Sequence, residues 1–238
     1  MNESKYTKTI TVVPSMCGRS ESLSIPGIFT LFMDIASLHA NALHVGYHDL
    51  AAKNLFWVTA KTMVTIHRLP ALDDEIELAT WPGKPEKINL YRYYTICNDG
   101  GLLVEGKTLW VVMNLAERRI YDGGNIYPDE LLFSDAKAAD SAFSRLIPRE
   151  GTPVGNYQIL STDIDVGRHM NNVAYVRAFN SLFSCDAWEK QKFDTIEVHF
   201  KNQCFEGDVL NFTKYEADGM QIFNAKNGKA TAVIIVLR

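Results

Sequence analysis

Two segments of this chain have the apolar spacing of a helix, and each is followed by a series of strand-like segments. The first helical segment, SIPGIFTLFMDIASLHANAL, offers Ser24 as an N-cap and has Pro26 in its first turn. Its apolar residues recur at helical spacing and also cover the opposite face, which predicts a buried helix. The segments that follow are rich in β-branched and aromatic residues: LFWVTAKTMVTIHRL, IELATWP, INLYRYYTICN and LLVEGKTLWVVMN. Between the last two, NDGG at residues 98–101 predicts a β-hairpin.

The second half of the chain repeats this order. VAYVRAFNSLFSCDAWEK has helical spacing, with Val176, Phe179 and Phe183 on one face. Strand-like segments again follow it: TIEVHFKN, DVLNFTKYEA, GMQIFNAKN and ATAVIIVLR. A buried helix followed by antiparallel strands, present twice, predicts an α+β protein of two similar units, each a long antiparallel sheet wrapped around its helix.

The region between the two blocks has a different character. From about Tyr121 to Val154 the sequence contains glycines, prolines and small residues with little periodicity, which indicates a linker with one short helix at most. We therefore expect an N-terminal domain over residues 1–130, a linker over residues 131–152 and a C-terminal domain over residues 153–238. A chain of 238 residues is long enough to bury a sizeable core in such an arrangement.

Composition and charge narrow the class of protein. The net charge of −4 and the pI near 5.9 argue against a protein that binds nucleic acid, which usually carries a basic excess. No apolar run approaches the length of a membrane helix, and the first residues, MNESKYTKTITVV, lack the apolar core of a signal peptide. The four cysteines are widely spaced without a CxxC pair, as expected for reduced thiols. We expect a cytoplasmic protein that does not act at a membrane.

The stretch DIDVGRHMNN, residues 163–172, concentrates polar groups directly before the second helix. Asn171 or Asn172 is a candidate N-cap, so the amides of the helix start would favour negative charge beside His169, including an oxyanion. Asp165 and His169 are four residues apart in a non-helical segment and can converge on one small volume. A carboxylate and an imidazole placed in this way suffice for general-base attack of water on an ester or thioester.

The same residues also fit a purely structural turn. In that interpretation Asp163 and Asp165 shape the turn, His169 bonds a backbone carbonyl and Asn171 caps the helix. The residue types alone leave both interpretations open.

The sequence HMNNVAY, following DIDVGR, resembles the HVNNxxY signature of hotdog-fold thioesterases. The closer resemblance is to the acyl-acyl carrier protein thioesterases of plants and bacteria, which carry two hotdog domains in one chain. Three further stretches are similar to that family: NLFWVTAKTMVTIHRLP, TLWVVMNLAERRI and FKNQCFEGDVL. The resemblance extends from about Ser15 to the C-terminus and is weakest in the linker. It implies two tandem hotdog domains and the hydrolysis of fatty acyl thioesters on acyl carrier protein.

The resemblance places the active site in the second domain, with an Asp, an Asn two residues later, a His two further on and a Glu on a later strand. Asp165 and His169 match the Asp and the His. Gly167 stands where the family has Asn, and Gln203 stands where it has Glu. Glycine has no side chain to hold substrate or water, and Gln203 can orient a water but cannot accept its proton.

These matches lead to an expected mechanism. Asp165 acts as general base on water or, as an alternative, as a nucleophile that forms an anhydride. His169 orients Asp165, the water or the thioester, and helix-start amides near Met170 or Asn171 hold the oxyanion. The thiol is a good leaving group, so we expect neither a metal nor another cofactor.

The resemblance also implies where the substrate binds. Trp57, Phe56 and Met63 are candidates for the wall of an acyl tunnel in the first domain, with core packing as the alternative. The expected partner is the acidic acyl carrier protein, for which five cations could form a basic patch: Arg168, Arg177, Lys201, Lys226 and Lys229. An acyl-CoA thioesterase and a catalytically weak acyl-binding protein are the alternative functions. Two hotdog domains in one chain are compatible with a monomer and with a homodimer.

Two other sites receive less support from the sequence. His39, His44 and His48 do not share a helical face with an acidic residue or a cysteine that would complete a metal site. Cys204 lies near the expected site, and a cysteine nucleophile paired with His169 would need a lowered thiol pKa, for which the sequence offers no cause.

Overall fold

The computed structural model describes residues 4–147 and 149–238. The chain divides at Ser141 into two compact units, residues 1–141 (unit 1) and residues 142–238 (unit 2). This division falls inside the segment that the sequence indicates as a linker. Each unit contains antiparallel strands and one principal helix, as the α+β prediction requires.

Unit 1 begins with a strand, places its helices next and then forms most of its sheet. Its elements are β1 (Tyr6–Thr11), α1 (Ile25–Ala42), α2 (Tyr47–Ala51), β2 (Leu55–Ile66), β3 (Glu75–Pro82), β4 (Leu90–Asn98), β5 (Gly101–Asn114) and β6 (Arg119–Tyr121). The strand order is β1-β3-β4-β5-β2, with β6 beside β5, and the pairs are antiparallel. The predicted hairpin is the β4–β5 turn, where Gly101 adopts a φ of 108°, a conformation that favours glycine.

Helix α1 forms where the sequence predicts it, and it packs on the sheet of unit 1. The Ser24 side chain accepts a hydrogen bond from the Gly27 amide at 3.1 Å, which caps the first turn. Phe32 of this helix stacks on Tyr94 of β4 with ring centroids 4.4 Å apart. A Cβ at Gly106 of β5 would lie 2.3 Å from the Phe32 ring, so glycine there allows the helix to approach the sheet closely.

Unit 2 repeats the helix-then-strands order. Its elements are β7 (Thr152–Gln158), α3 (Asn172–Asn180), α4 (Cys185–Glu189), β8 (Thr195–Phe200), β9 (Val209–Ala217), β10 (Met220–Asn227) and β11 (Ala230–Leu237). The strand order is β8-β11-β10-β9-β7, again antiparallel. Phe179 of α3 packs edge-on against Phe223 of β10, with ring centroids 4.7 Å apart.

The prediction of one continuous helix over VAYVRAFNSLFSCDAWEK is wrong. Helix α3 ends at Asn180 and α4 begins at Cys185. The Ser181 hydroxyl donates back to the Ala178 carbonyl at 2.7 Å, and the Ser184 side chain accepts from the Ala187 amide at 3.2 Å. Serine competes with the helical backbone for these bonds, so the chain turns between the two and starts a new helix.

Three strands were not predicted: β1, β6 and β7. All three lie at the border of a sheet or beside its main path, and most of their residues are exposed. Because neither face of such a strand is fully buried, the alternating apolar pattern that reveals the inner strands is absent. Among the described residues between β6 and β7, the structure has a single short 3₁₀ turn, Gly123–Asn125, and no further helix.

None of the helices in the described part of the chain combines the length and the apolar character that crossing a bilayer requires.

Candidate functional site

The segment DIDVGRHMNN forms a compact turn that is held at both ends. At its start Asp163 is buried, and its Oδ2 accepts hydrogen bonds from the Tyr157 hydroxyl at 2.9 Å and the Leu160 amide at 3.0 Å. At its end the Asn171 side chain accepts from the Val173 amide at 2.8 Å and caps α3. The structural roles expected for Asp163 and Asn171 are therefore present, and they fix the residues between them.

Asp165 and His169 face each other within this turn. The Asp165 amide donates to the His169 carbonyl at 3.1 Å, and the Arg168 amide donates to the Asp165 carbonyl at 2.9 Å. Asp165 Oδ1 lies 3.8 Å from His169 Nδ1, and 26% and 29% of the two side chains are exposed. The two groups converge as the spacing predicts, and both remain accessible to a ligand.

The Asp165 carboxylate is oriented by the backbone. Its Oδ1 accepts a hydrogen bond from the Gly167 amide at 2.8 Å. His169 Nδ1 lies 3.4 Å from the Met170 carbonyl, at the long end of a hydrogen bond. At 3.8 Å, Asp165 and His169 are too far apart for a direct hydrogen bond, so each side chain is held by the main chain.

Gly167 lies between the two side chains. A Cβ at this position would be 2.9 Å from His169 Nε2 and 3.0 Å from Asp165 Oδ1. An asparagine here, which the family resemblance leads one to expect, would therefore project into the space between the imidazole and the carboxylate. In this chain the edge of the imidazole lies in the region that such a side chain would occupy.

The amides of Met170 and Asn171 were predicted to stabilise an oxyanion, but both are engaged within the protein. The Met170 amide donates to the Cys204 carbonyl at 2.8 Å, and the Asn171 amide donates to the Asp163 carbonyl at 2.8 Å. Neither N–H is free to bind an oxyanion in this arrangement, because each already has an acceptor. Asn172 is the first residue of α3 and is partly buried.

The Met170–Cys204 bond brings a second loop against the site. Gln203 belongs to this loop, between β8 and β9, and its side chain is exposed. Gln203 is therefore next to Cys204, where the two loops are hydrogen-bonded, and its side-chain amide faces solvent.

Cys204 itself is buried, and it does not have the environment of a nucleophile. Burial raises the pKa of its thiol, and the charge of Asp208 raises it further. The neighbouring Tyr175 hydroxyl donates to the Asn202 carbonyl at 3.3 Å, and burial also raises the pKa of this phenol. A thiol kept protonated in this way does not support the cysteine-based alternative.

The three candidates for the acyl tunnel do not lie together. Trp57 packs against the apolar core of unit 1, and its Nε1 donates to the Val45 carbonyl at 2.8 Å. Phe56 contacts Tyr47 edge-on at the exposed end of α2. Met63 lies opposite Lys107 on the sheet, and its sulfur accepts a hydrogen bond from the Ser141 hydroxyl at 3.3 Å. Since the adjacent Gly106 faces α1, Met63 and Lys107 are on the other face of the sheet.

The five cations proposed for a basic patch are all exposed: Arg168, Arg177, Lys201, Lys226 and Lys229. Arg168 is in the site turn, with a φ of 62°, and Lys201 begins the loop that contains Gln203. The sequence interpretation missed that apolar side chains are also exposed beside them. Val166 lies in the turn, Phe205 in the loop and Leu160 three residues before Asp163. A single apolar residue within a short polar segment, as Val166 is in DVGR, is the signal that could have indicated this.

Among the described residues, no group of three or more histidine, cysteine or acidic side chains could hold a metal ion. His39 is buried and contacts Arg92, whereas His44 is exposed. The sequence interpretation did not consider Arg92, which is buried in unit 1. The sequence signal for Arg92 is its position in β4. It occupies an inward-facing position of the alternation that Leu90, Tyr94 and Ile96 follow, where an apolar residue is expected.

Two protein-family models together match most of this chain. The model described as the acyl-ACP thioesterase N-terminal domain matches residues 3–126, and that described as the acyl-ACP thioesterase C-terminal domain matches residues 149–232. The chain is 27% identical over 219 residues to a chloroplastic palmitoyl-acyl carrier protein thioesterase of Arabidopsis thaliana, covering 81% of this chain and 50% of that protein. It is 28% identical over 182 residues to the corresponding protein of Cuphea hookeriana, covering 68% and 41%. The chain spans about half the length of the curated relatives it matches.

Solved structures agree on the fold. A crystal structure of an acyl-ACP thioesterase from Bacteroides thetaiotaomicron has a TM-score of 0.88 at 19% identity, covering 98% of this chain and 97% of that one. The 12:0-ACP thioesterase from Umbellularia californica has a TM-score of 0.80 at 18% identity, covering 98% and 96%. The predicted fold, two tandem hotdog units, is confirmed. With both of its units matched by the family models, the chain belongs to the acyl-ACP thioesterase family.

Proposed function

We propose that this protein hydrolyses fatty acyl thioesters carried by acyl carrier protein and releases the free fatty acid. Membership of the family supports the reaction and the substrate class. The observation that carries the proposal is the convergence of Asp165 and His169 in an accessible turn that the buried Asp163 and the start of α3 hold in place. Both side chains are partly exposed, at 26% and 29%, and are therefore within reach of a substrate.

In the proposed mechanism Asp165 is the general base. Its carboxylate takes a proton from water as the water oxygen bonds to the thioester carbonyl carbon. When the resulting tetrahedral intermediate collapses, the carbon–sulfur bond breaks, and the protonated Asp165 returns its proton to the departing sulfur, which leaves as the thiol. The Gly167 amide holds one carboxylate oxygen, which directs the other toward water. His169 Nδ1 faces the Met170 carbonyl, which only accepts, so Nδ1 carries the hydrogen and Nε2, close to Gly167, is placed to accept a hydrogen bond from the attacking water.

Gln203 has a positioning role in this mechanism. It lies beside the loop junction and can hydrogen-bond water, but its amide cannot take the proton. Asp165 therefore acts without a second carboxylate. General-base attack by Asp165 is favoured, because a single base suffices when the leaving group is a thiol.

The proposed partner is the acidic acyl carrier protein, which would contact unit 2 around the site turn. Arg168 and Lys201 supply positive charge there, and Val166 and Phe205 supply exposed apolar surface. We also propose a cytoplasmic location, because Cys17, Cys97, Cys185 and Cys204 are all free thiols, as in a reducing compartment.

The test is thiol release from acyl-carrier proteins and acyl-CoAs with chains from about C8 to C18, on the wild type and on Asp165→Asn. Removing the base should lower kcat by roughly 10²- to 10⁴-fold, the usual contribution of general-base catalysis. Asp218→Asn, which changes an exposed carboxylate in the β9–β10 turn, is the matched control and should keep full activity. Full activity of Asp165→Asn would show that Asp165 is not the general base. Hydrolysis of acyl-CoA without hydrolysis of acyl-carrier protein would show that acyl-CoA is the substrate.

A catalytically weak acyl-binding protein is the second candidate, and Gly167 and Gln203 are the residues that favour it. The same assay separates the two functions. Binding of acyl-carrier protein without release of thiol from any substrate would establish the binding function.

A further inference from the structure

Helix α3 carries a buried hydroxyl group that its packing does not require. Tyr175 lies one turn into α3 and is 3% exposed, and its ring packs edge-on against Phe200 at the end of β8, with ring centroids 5.8 Å apart. A phenylalanine would fill the same volume without burying a polar group, and such burial is unfavourable unless the group is hydrogen-bonded. The partner of the hydroxyl is therefore what distinguishes tyrosine from phenylalanine at this position.

The partner of this hydroxyl belongs to the loop that contains Gln203. We call residues 201–208, between β8 and β9, the Gln203 loop. The Tyr175 hydroxyl donates to the Asn202 carbonyl at 3.3 Å, at the long end of a hydrogen bond. Burial raises the pKa of the phenol, so the hydroxyl keeps its proton and can donate. The Cys204 thiol lies beside the same hydroxyl, with its Sγ 3.9 Å from the Asn202 carbonyl.

Both neighbours of Gln203 are held to other parts of unit 2. On one side, the Asn202 side chain donates to the Thr231 carbonyl of β11 at 2.6 Å. On the other side, the Cys204 carbonyl accepts from the Met170 amide at 2.8 Å, which joins the Gln203 loop to the site turn. The bond from the Tyr175 hydroxyl therefore adds a third attachment to a loop that is already tied at two points.

Gln203 depends on these neighbours for its position. Within the described part of the chain, Gln203 has no hydrogen bond of its own, and its side chain is exposed. Met170 directly follows His169, so Gln203 and His169 each lie one residue from the bond between Met170 and Cys204. An amide group held there can both donate to and accept from the attacking water.

We propose that Tyr175 is a positioning residue for the hydrolysis: its hydroxyl holds the Asn202 carbonyl and thereby keeps the Gln203 amide beside the attacking water. The role depends on the proposed function, in which Asp165 activates that water. Tyr175 touches neither water nor substrate and acts only through Gln203. Its effect belongs to the chemical step, because a carrier protein binds to exposed surface and the hydroxyl is buried.

Tyr175→Phe tests the role, because it removes the hydroxyl and keeps the ring against Phe200. We expect kcat for thiol release from acyl-carrier protein to fall by about 2- to 10-fold, the range that one neutral hydrogen bond spans, with KM unchanged. Tyr215→Phe is the matched control, since it removes a tyrosine hydroxyl that donates to the Ile147 carbonyl at 3.2 Å in the same unit, and it should keep the kcat of the wild type. Unchanged kcat in Tyr175→Phe, or an equal loss in both variants, would overturn the proposal.

A double-mutant cycle distinguishes the positioning of Gln203 from a general loss of packing. Gln203→Ala removes the group that Tyr175 holds and should itself lower kcat. In that background, Tyr175→Phe should lower kcat no further, because the two residues act as one unit. The same fold-loss in both backgrounds would show that Tyr175 acts elsewhere, and unchanged kcat in Gln203→Ala would leave nothing for it to position. Either result contradicts the proposal.

Asn202→Ala is the second variant, should Tyr175→Phe fail to fold. It removes the side-chain bond to the Thr231 carbonyl at an exposed position, so the loop loses an attachment while the core of unit 2 is untouched. The expected signature is the same: a lower kcat, an unchanged KM and no further loss beside Gln203→Ala. Full kcat in this variant would then refute the proposal.

Amide hydrogen exchange separates the role of Tyr175 from the proposed function, because it needs no turnover. Tyr175→Phe should speed the exchange of the Met170 amide, which bonds to Cys204 of the Gln203 loop, and Tyr215→Phe should not. A wild type that hydrolyses no thioester would refute the proposed function, and the exchange rates would still decide whether Tyr175 holds the loop. An active wild type with unchanged kcat and exchange in Tyr175→Phe would refute the role of Tyr175 alone.

Discussion

At the scale of single residues, the space between the Asp165 carboxylate and the His169 imidazole depends on Gly167, which has no side chain. The Gly167 amide donates a hydrogen bond to the Asp165 carboxylate, and His169 Nε2 lies 2.9 Å from the place that a Cβ at Gly167 would take. The backbone at Gly167 is outside the left-handed region, so a larger residue is not excluded by its φ. What a larger residue would disturb is the space between the base and the imidazole.

Gly167→Ala should therefore lower kcat and leave the fold intact. A methyl group 2.9 Å from His169 Nε2 forces the ring to move, and displacements of about 1 Å at a catalytic group cost up to roughly 10²-fold. We expect a loss of about 10-fold or more in kcat with an unchanged urea midpoint. Gly18→Ala, where the nearest atom to the new Cβ is 3.9 Å away, is the control and should behave as the wild type. Unchanged kcat in Gly167→Ala would show that His169 does not act at this position.

Gln203→Glu tests whether the site needs a second carboxylate. The exposed position accepts a charge at little cost, so stability should change by less than about 0.5 kcal/mol. If a second acid assists the base, thiol release should become faster; if Asp165 suffices, the rate should stay the same. Gln203→Ala is measured beside it, and a severe loss in both folded variants would mean that the Gln203 amide itself binds substrate or water.

At the scale of elements, the site depends on the start of α3. Asn171 caps this helix with its side chain and, through its amide, holds the Asp163 carbonyl at the start of the turn. The turn and the helix therefore form a single hydrogen-bonded structure. The Met170–Cys204 bond ties it to the loop between β8 and β9.

Asn171→Ala should destabilise the protein by about 1 kcal/mol, the usual cost of losing a cap. Asn171→Asp keeps the acceptor and adds a negative charge at a helix N-terminus, so it should retain the stability of the wild type. Urea unfolding followed by circular dichroism measures both. Equal stability of the alanine and aspartate variants would show that the cap contributes nothing here.

At the scale of the whole molecule, a buried ionic cluster in unit 2 joins three distant parts of the chain. Glu197 of β8 is fully buried and accepts hydrogen bonds from His199, from the amide and hydroxyl of Ser144 at 2.8 and 2.9 Å, and from Arg238 at 3.0 Å. Burial alone would raise the pKa of Glu197, but the bonds from His199 and Ser144 outweigh it and place the pKa below its ordinary value. These hydrogen bonds thereby hold the segment before β7 and the end of β11 to the same strand, β8.

Glu197→Gln should destabilise the protein at neutral pH by about 2 kcal/mol, because it removes the charged acceptor of the hydrogen bonds from His199, Ser144 and Arg238. A carboxyl whose pKa is lowered by folding contributes stability above its unfolded value, about 4.3, and loses it as the pH falls through the folded value. The difference in unfolding free energy between wild type and variant should therefore shrink below about pH 4.3. Glu216→Gln, at a largely exposed carboxylate, is the control, and a difference that stays constant with pH would exclude Glu197 as the titrating group.

The sequence by itself determined the inner architecture of each unit. The apolar circumference of α1, the strand-like segments that form β2 to β5 and β8 to β11 and the glycine hairpin predicted these elements, because burial against a partner requires apolar residues in those segments. It also determined the facing of Asp165 and His169, which depends on a turn of a few residues. The strands β1, β6 and β7 and the break after Asn180 escaped prediction, because exposed strands lack a pattern and the serine hydrogen bonds compete with the helix.

Only the tertiary structure decided how groups far apart in the chain meet. The amides of Met170 and Asn171 looked available from the sequence, yet Cys204 and Asp163 supply their acceptors. Arg92 was not considered in the sequence interpretation, and its contacts with His39 and Thr80 are visible only when helix α1 and the neighbouring strands are in place. The physical reason is the same in both cases. Local spacing determines which way a group points, but its hydrogen-bond partners and its distance from water are properties of the packed chain.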